Sequence, residues 1–215
     1  MKTMPGVEVA DFIEVIDRFD KWRTIAISLG LRPYDAPDFE NGRLYFRSDY
    51  TEQVSKWPPA REQGDWGAYI IETTPNGLFC VVRSLWHERA PQRTERPEAL
   101  FSRAEDAGKY VIAQTADEIH VGLRLESQFL KWEAQGLGPS IDIETPSDDD
   151  LQEFIKRIPG ITVSSARQHR TKYKLVGHPE VFAVTSSGNG PYMHVLTLSF
   201  DQLDSQLANG LPQMT

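Results

Sequence analysis

Five histidines, one cysteine and a run of three aspartates have the strongest claim to chemistry in this sequence, and their spacing argues against each simple use of them. His87, His120, His169, His178 and His194 are scattered. None has a histidine or cysteine three to five residues away, the spacing that sets two ligands on one ion, so no metal site is expected. Asp148, Asp149 and Asp150 are consecutive. On a helix such neighbours point about 100° apart and do not converge on one magnesium ion, whereas they do complement the positive end of a helix dipole. Ser164, Ser165, Ser186 and Ser187 lack the flanking glycines of a nucleophile elbow. Gly188-Asn189-Gly190 lacks the remaining glycine and the opening helix of a dinucleotide fingerprint. Cys80 lies in the apolar run Leu78 to Val82, where desolvation disfavours a thiolate. Arg167, His169, Arg170, Lys172 and Lys174 form a basic run that serves either an anion or, more simply, a solvated strand edge. No catalytic residue and no cofactor is therefore expected, and a binding protein is preferred to an enzyme. The alternative is a small-ligand-binding protein or an enzyme whose site is assembled from distant residues.

Composition narrows the partners. The chain has 215 residues, 40% hydrophobic and 25% charged, and can bury roughly 70% of its unfolded surface without a disulfide or metal staple. A net charge of -8 argues against nucleic acid, whose binding releases counterions to a basic surface, and suits a basic protein partner. A single cysteine excludes an intrachain disulfide and fits a reducing compartment. No apolar run approaches the ~18 residues a membrane span requires, and the first residues carry no apolar signal core, so a cytoplasmic protein is expected.

The elements that would position these residues are legible in part. Asp11 to Leu29 places Phe12, Ile16, Phe19, Trp22, Ala26 and Leu29 on one face, a core-facing helix closed by Gly30 and Pro33. Asn76-Gly77 joins the strand runs Ala68 to Thr73 and Leu78 to Arg83 into a hairpin, with Arg43 to Arg47 as a neighbouring strand. Trp57-Pro58-Pro59 through Gly64-Asp65 and Arg89 to Pro97 read as loops, the second a possible lobe boundary (89–97) in what is otherwise one domain. Pro97 and Glu98 open a predicted helix that runs to Ala107 and closes at Gly108. Tyr110 to Gln114 and Glu118 to Leu123 then read as short strands. Leu125 to Gln135 is a helix capped by Gly136, and Ile141 to Ile143 a strand. Ser147 caps a helix with Leu151, Phe154, Ile155 and Ile158 as its buried stripe, stopped by Pro159-Gly160. Tyr173 to Val176, Val181 to Thr185 and His194 to Leu198 read as strands, with Ser186 to Pro191 an exposed loop between the last two. Ser199 and Gln202 make a capping box for a helix ending at Asn209-Gly210. Hairpins and clusters of strands, without strict alternation of strand and helix, indicate an α+β protein with largely antiparallel sheets.

Two stretches carry a family resemblance: Ala99-Leu100-Phe101-Ser102-Arg103-Ala104-Glu105-Asp106-Ala107-Gly108-Lys109-Tyr110-Val111-Ile112, and Leu196-Thr197-Leu198-Ser199-Phe200-Asp201-Gln202-Leu203 closing on Gly210-Leu211-Pro212. From about Phe101 to Pro212 the chain resembles the immunity proteins of actinobacterial polymorphic toxins, in particular the kind that neutralises the mycobacterial tuberculosis necrotizing toxin. The resemblance implies a cytosolic antitoxin that binds the NAD-cleaving domain of a secreted toxin and blocks its active site, as a monomer in a one-to-one complex. Two loops are the expected inserts. Gly108 and Lys109, after a helix end, would put an ammonium where the cationic nicotinamide ring sits. Ser187, Gly188, Asn189 and Gly190 lack bulky side chains and would enter a cleft backbone-first. Plain chain reversal is the alternative use of either loop.

Overall fold

A computed structural model describes residues 9–31, 34–48, 50–58, 67–85 and 93–212. Its centre is one antiparallel sheet, formed by β1 (Asp38–Glu40), β2 (Arg43–Ser48), β3 (Gly67–Thr73), β4 (Phe79–Leu85), β5 (Thr94–Phe101), β6 (Ile141–Glu144), β7 (Arg170–Leu175) and β8 (His178–Ser186). The spatial order is β1-β2-β3-β4-β5-β8-β7-β6. The α+β class follows. Around the sheet lie α1 (Ile13–Ser28), α2 (Tyr50–Lys56), α3 (Ala104–Gly122), α4 (Gln128–Gln135), α5 (Asp148–Arg157), α6 (Val163–His169) and α7 (Phe200–Ala208), with 3-10 segments at Val9–Phe12 and Ser187–Leu196.

Alternation along the strands sends side chains to two cores. Leu44, Phe46, Ile71, Val81, Ala99 and Phe101 meet α1, α3, α4, α7 and the second 3-10 segment. Ala68, Ile70, Cys80, Val82, Leu100 and Val184 meet the smaller cover of α5 and α6, through Leu151, Phe154 and Ala166. The Asn-Gly pairs turn the chain where a tight reversal needs positive φ: Asn41 and Gly42 adopt 53° and 77° between β1 and β2, and Gly77 adopts 77° between β3 and β4. Ser147 with Asp150, and Ser199 with Gln202, form reciprocal capping boxes at α5 and α7.

The largest departure from the sequence reading is α3. The predicted helix from Pro97 to Ala107 and the two short strands after it are replaced by the end of β5 and one continuous helix of 19 residues. Pro97 sits in β5 at a bulge, where the register against β4 shifts between Val81 and Val82; a proline is tolerated there because the ladder is already interrupted. Helix α3 is buried throughout 106–120 except at Gln114 and Glu118. A helix enclosed on nearly all sides shows no polar face, so its Tyr110, Val111 and Ile112 imitate a strand. Gly108 is a helix-interior residue, required because a Cβ there would lie 2.3 to 2.9 Å from the side chain of Val15 on α1. The strand expected at His194 to Leu198 is likewise absent; residues to Leu196 belong to the 3-10 segment. Pro33, most of the loop ending at Asp65, and residues 89–92 of the suggested lobe boundary lie outside the described residues, while Thr94 onwards is β5.

Asp204 fastens α7 to α1, accepting hydrogen bonds from Arg18 Nη1 at 2.9 Å, Lys21 Nζ at 2.7 Å and Trp22 Nε1 at 2.8 Å. Burial works against its ionisation, but the donors Lys21, Trp22 and Arg18 outweigh that and hold its pKa below the usual carboxylate value. Asp150 is depressed in the same way, burial being outweighed by Lys172 and Ser147. A depressed folded pKa contributes stability that is present above the unfolded value, about 3.9, and is lost as pH falls through the folded one. Urea midpoints should therefore decline as pH is lowered below about 4, and Asp204→Asn should flatten part of that decline; an unchanged profile in the variant would show that Asp204 does not carry it. Gly108→Ala should destabilise by about 1–3 kcal/mol through overpacking against the stiff Val15, exceeding the ~1 kcal/mol gained in helix propensity. Gly188→Ala, where a Cβ meets no atom within 4 Å, should leave the melting temperature unchanged in the same thermal scan.

Candidate functional site

The bulge in β5 makes Glu98 the extra residue opposite the Val81–Val82 junction. Its carbonyl turns to side-chain donors, Arg170 Nη1 at 2.9 Å and Thr185 Oγ1 at 3.0 Å. Its carboxylate Oε1 accepts from Tyr110 Oη and from Gln114 Nε2, both at 2.7 Å. Tyr110 Oη in turn accepts from Asn189 Nδ2 at 2.9 Å, and Gln114 Oε1 accepts from Tyr69 Oη at 3.0 Å. The result is a continuous polar chain from β3 through α3 and β5 to the 3-10 segment, ending where the Arg83 guanidinium lies 4.1 Å above the Tyr69 ring. Linked hydrogen bonds in a low-dielectric interior reinforce one another and specify one arrangement.

That arrangement braces residues 187–190. Ser187 and Gly188 are exposed, and a Cβ at Gly188 would meet open space. Asn189 is half-buried and tied to Tyr110, and Gly190 is buried with Tyr173 Oη 2.9 Å from its Cβ position. Neither glycine adopts a positive φ, so Gly190 is required for space and Gly188 for no reason within the fold. The expected loop is thus a 3-10 turn whose tip alone is free. A narrow tip on a fixed base can enter a concave partner without first being ordered, which removes an entropic cost of binding.

The other expected insert is overturned. Lys109 is not on a loop: it is 1% exposed inside α3, with Nζ 2.7 Å from the Leu198 carbonyl, 2.8 Å from Asp106 and 3.1 Å from Glu105. Asp106, also buried, is held by Arg103 at 2.6 Å. An ammonium enclosed in this way pairs because an unpaired buried charge is costly, and it does not reach a partner's cleft. The bond to Leu198 has a second meaning: it joins the two stretches on which the family resemblance rests. Those stretches are thereby joined across α3 and the start of α7.

The remaining candidates are dispersed. Arg167 pairs with Asp148, Lys172 with Asp150 at 3.0 Å and Lys174 with Glu144, while Arg170 stacks 4.1 Å above Phe154. The basic run therefore does not converge on one anion. His194 donates from Nε2 to the Gly136 carbonyl at 2.9 Å and stacks on Trp132; burial lowers its pKa and that of His120. His169 and His178 are exposed, and His87 lies outside the described residues. Among the described residues no group of three or more His, Cys, Asp or Glu is placed to hold a metal ion. Burial pushes the Cys80 thiol up to about 12. Glu98, Tyr110 and Tyr69 escaped sequence reading because their relation is tertiary; the one available signal was Pro97 inside an otherwise strand-like run, the mark of a bulge.

Comparison with known proteins adds a fold relation. No family model matches the sequence, and no curated protein matches it. The chain is similar in structure to Rv3902c from M. tuberculosis, at 15% sequence identity and a TM-score of 0.55, with 96% of this chain and 92% of that chain covered. At this identity the likeness shows a shared fold, from which activity does not follow.

The network makes a spectroscopic prediction. Burial raises the pKa of Tyr110 well above its ordinary value, and the charge of Glu98 adds to the effect; burial does the same for Tyr34, Tyr69 and Tyr192. These side chains should stay protonated beyond about pH 10, where exposed tyrosine ionises, and should form phenolate only as the fold is lost. Their stabilisation is present below the unfolded pKa and disappears as pH rises toward the folded one. Ionisation of all seven tyrosines near pH 10 with native circular dichroism would contradict the network.

Proposed function

We propose that this protein is an immunity protein: a cytoplasmic antitoxin that binds the NAD-cleaving domain of a secreted toxin and occludes its active site, in a one-to-one complex and without turnover of its own. The observation that carries this reading is the Ser187–Gly188 tip, exposed at its end and braced at its base by Asn189 and Gly190. A glycine with no conformational or packing duty in the fold is explained by a partner that approaches the backbone closely. The resemblance of the α3 and α7 stretches to toxin immunity proteins supplies the class of partner. Net charge of -8 favours encounter with a basic domain, and burial of about 1,600 Å² is sufficient for tight association. Among the described residues no helix is long and apolar enough to cross a membrane, and the acidic balance disfavours nucleic acid as a partner.

The residue chemistry agrees with occlusion. The carboxylate, phenols and amides around Glu98 are engaged with one another, and the tyrosines there are poor acids at neutral pH. Work is done by shape, as in other inhibitor complexes whose interface moves little on binding.

The test is NAD hydrolysis by any NAD-cleaving domain found encoded beside this protein, with and without stoichiometric protein. Inhibition at a one-to-one ratio is expected. Gly188→Trp, placed in open space, should fold and melt as the parent does yet weaken inhibition by at least tenfold, about the effect of one blocked central contact. NAD breakdown that continues at molar excess of the protein rejects the reading; full inhibition by Gly188→Trp retains an inhibitor but rejects the tip.

A further inference from the structure

The two edges of the sheet differ in how their charges are met. Strands β1 and β6 each have a neighbour on one side only. At β1 both carboxylates are taken by Arg47 of β2, Asp38 at 2.7 Å and Glu40 at 3.3 Å. At β6 the residues from Asp142 to Thr145 are exposed, and Ile143 keeps 62% of its surface accessible. Lys174 of β7 pairs with Glu144, and Lys172 with Asp150. That leaves Asp142, opposite Lys174 in register, bonded to no other described residue.

The backbone of β6 is open at the same place. Along an antiparallel pair, residues alternate between bonding across and turning their N–H and C=O away. The Val176 amide donates to the Ser140 carbonyl at 2.9 Å, one step beyond the Ile141 and Leu175 pair. Asp142 and Glu144 therefore bond toward β7, and Ile143 turns its N–H and C=O to the open side. The far side of β7 gives the same parity. The Ser102 amide donates to the Phe182 carbonyl, so Phe182 and Val184 face β5, Ala183 and Thr185 face β7, and Lys172 and Lys174 are left to face β6. An exposed N–H and C=O on a sheet edge form a template for another strand.

Charge decides which strand. In a second copy of this chain, the antiparallel registers that set Ile143 opposite an outward-turned residue pair it with Ile141, Ile143 or Thr145. These place Asp142 against Asp142, Asp142 against Glu144, or Glu144 against Glu144, and like charges directly opposite are destabilising. The side chains flanking Ile143 fall at positions where the new pair would not be hydrogen-bonded and where side chains approach most closely. A strand with an apolar residue opposite Ile143 and a lysine or arginine on each side of it meets every group that this edge presents.

We propose that the outer edge of β6 accepts an extended basic segment of a partner protein, added as an antiparallel strand with the order basic, apolar, basic centred on Ile143. The edge shares no residue with the Ser187–Gly188 tip, and it is tested with peptides, so its failure is separate from failure of toxin inhibition. The probe is the acetylated and amidated peptide Thr-Lys-Val-Lys-Thr, followed by amide chemical shifts of the full-length protein. Controls are Thr-Glu-Val-Glu-Thr and the permuted Lys-Lys-Thr-Val-Thr, which has the same charge without the alternation. Saturable shifts confined to β6 and its neighbour β7 are expected, roughly tenfold tighter than for the permuted peptide, the scale of two cross-strand charge pairs, with none for the acidic peptide. Ile143→Pro removes an N–H that the β6–β7 ladder does not use and should abolish binding with little change in melting temperature. Asp142→Lys, an exposed change, should weaken the basic peptide by at least tenfold and keeps the test open if the proline variant does not fold. The proposal is overturned if no peptide gives saturable shifts at β6, if the permuted peptide binds as well, if either folded variant binds as the parent does, or if the parent self-associates through β6 in sedimentation.

Discussion

Burial of α3 is the constraint on which this structure depends. The helix runs between the sheet, α1, α7 and the second 3-10 segment, and it brings charged and polar side chains with it. In an interior where an unmet polar group is costly, the charged ones and several others find partners in other parts of the chain. Lys109 finds the Leu198 carbonyl and so places the start of α7. Tyr110 and Gln114 find Glu98 and so hold the bulge of β5. Asp117 finds Ser127, the Gln128 amide and Tyr192, which sets α4 and the 3-10 segment against the same helix.

This economy gives structural duties to residue types that elsewhere serve catalysis. Glu98, Lys109, Asp117 and His194 are spent on structure, each bonded to backbone or to a neighbour that the fold requires. What the same bonds deliver to the surface is a fixed shape. The Ser187–Gly188 tip projects from a base that is anchored to α3 through Asn189 and to β7 through the close contact of Gly190 with Tyr173. Anchoring of that kind lowers the cost of any contact the tip makes, because its base is ordered in the folding of the free protein.

Elements set by near neighbours in the chain are legible in the sequence. The capping boxes at Ser147 and Ser199, the hairpin at Asn76-Gly77 and the apolar stripe of α1 all depend on residues within a few positions of one another, and each is found in the structure. Burial erases the pattern elsewhere. In α3 the loss of a polar face makes Gly108 resemble a helix stop and Tyr110 to Ile112 a strand, whereas Lys109 lies inside one continuous helix. At the candidate site the small residues mark Ser187 to Gly190 as a distinct segment, while its division into an exposed tip and an anchored base depends on Tyr110 and Tyr173, distant in the chain.

By itself the sequence determined the α+β class, the positions of most turns and caps, the acidic balance and the inert environment of Cys80, since these follow from composition and near-neighbour chemistry. Only the tertiary structure decided that Lys109 is internal and that Glu98 binds Tyr110 and Gln114 together. The reason is that those facts depend on which distant segments share an interior. There the cost of leaving a polar group without a partner outweighs local conformational preference, and no window of neighbouring residues contains the groups that compete to meet it.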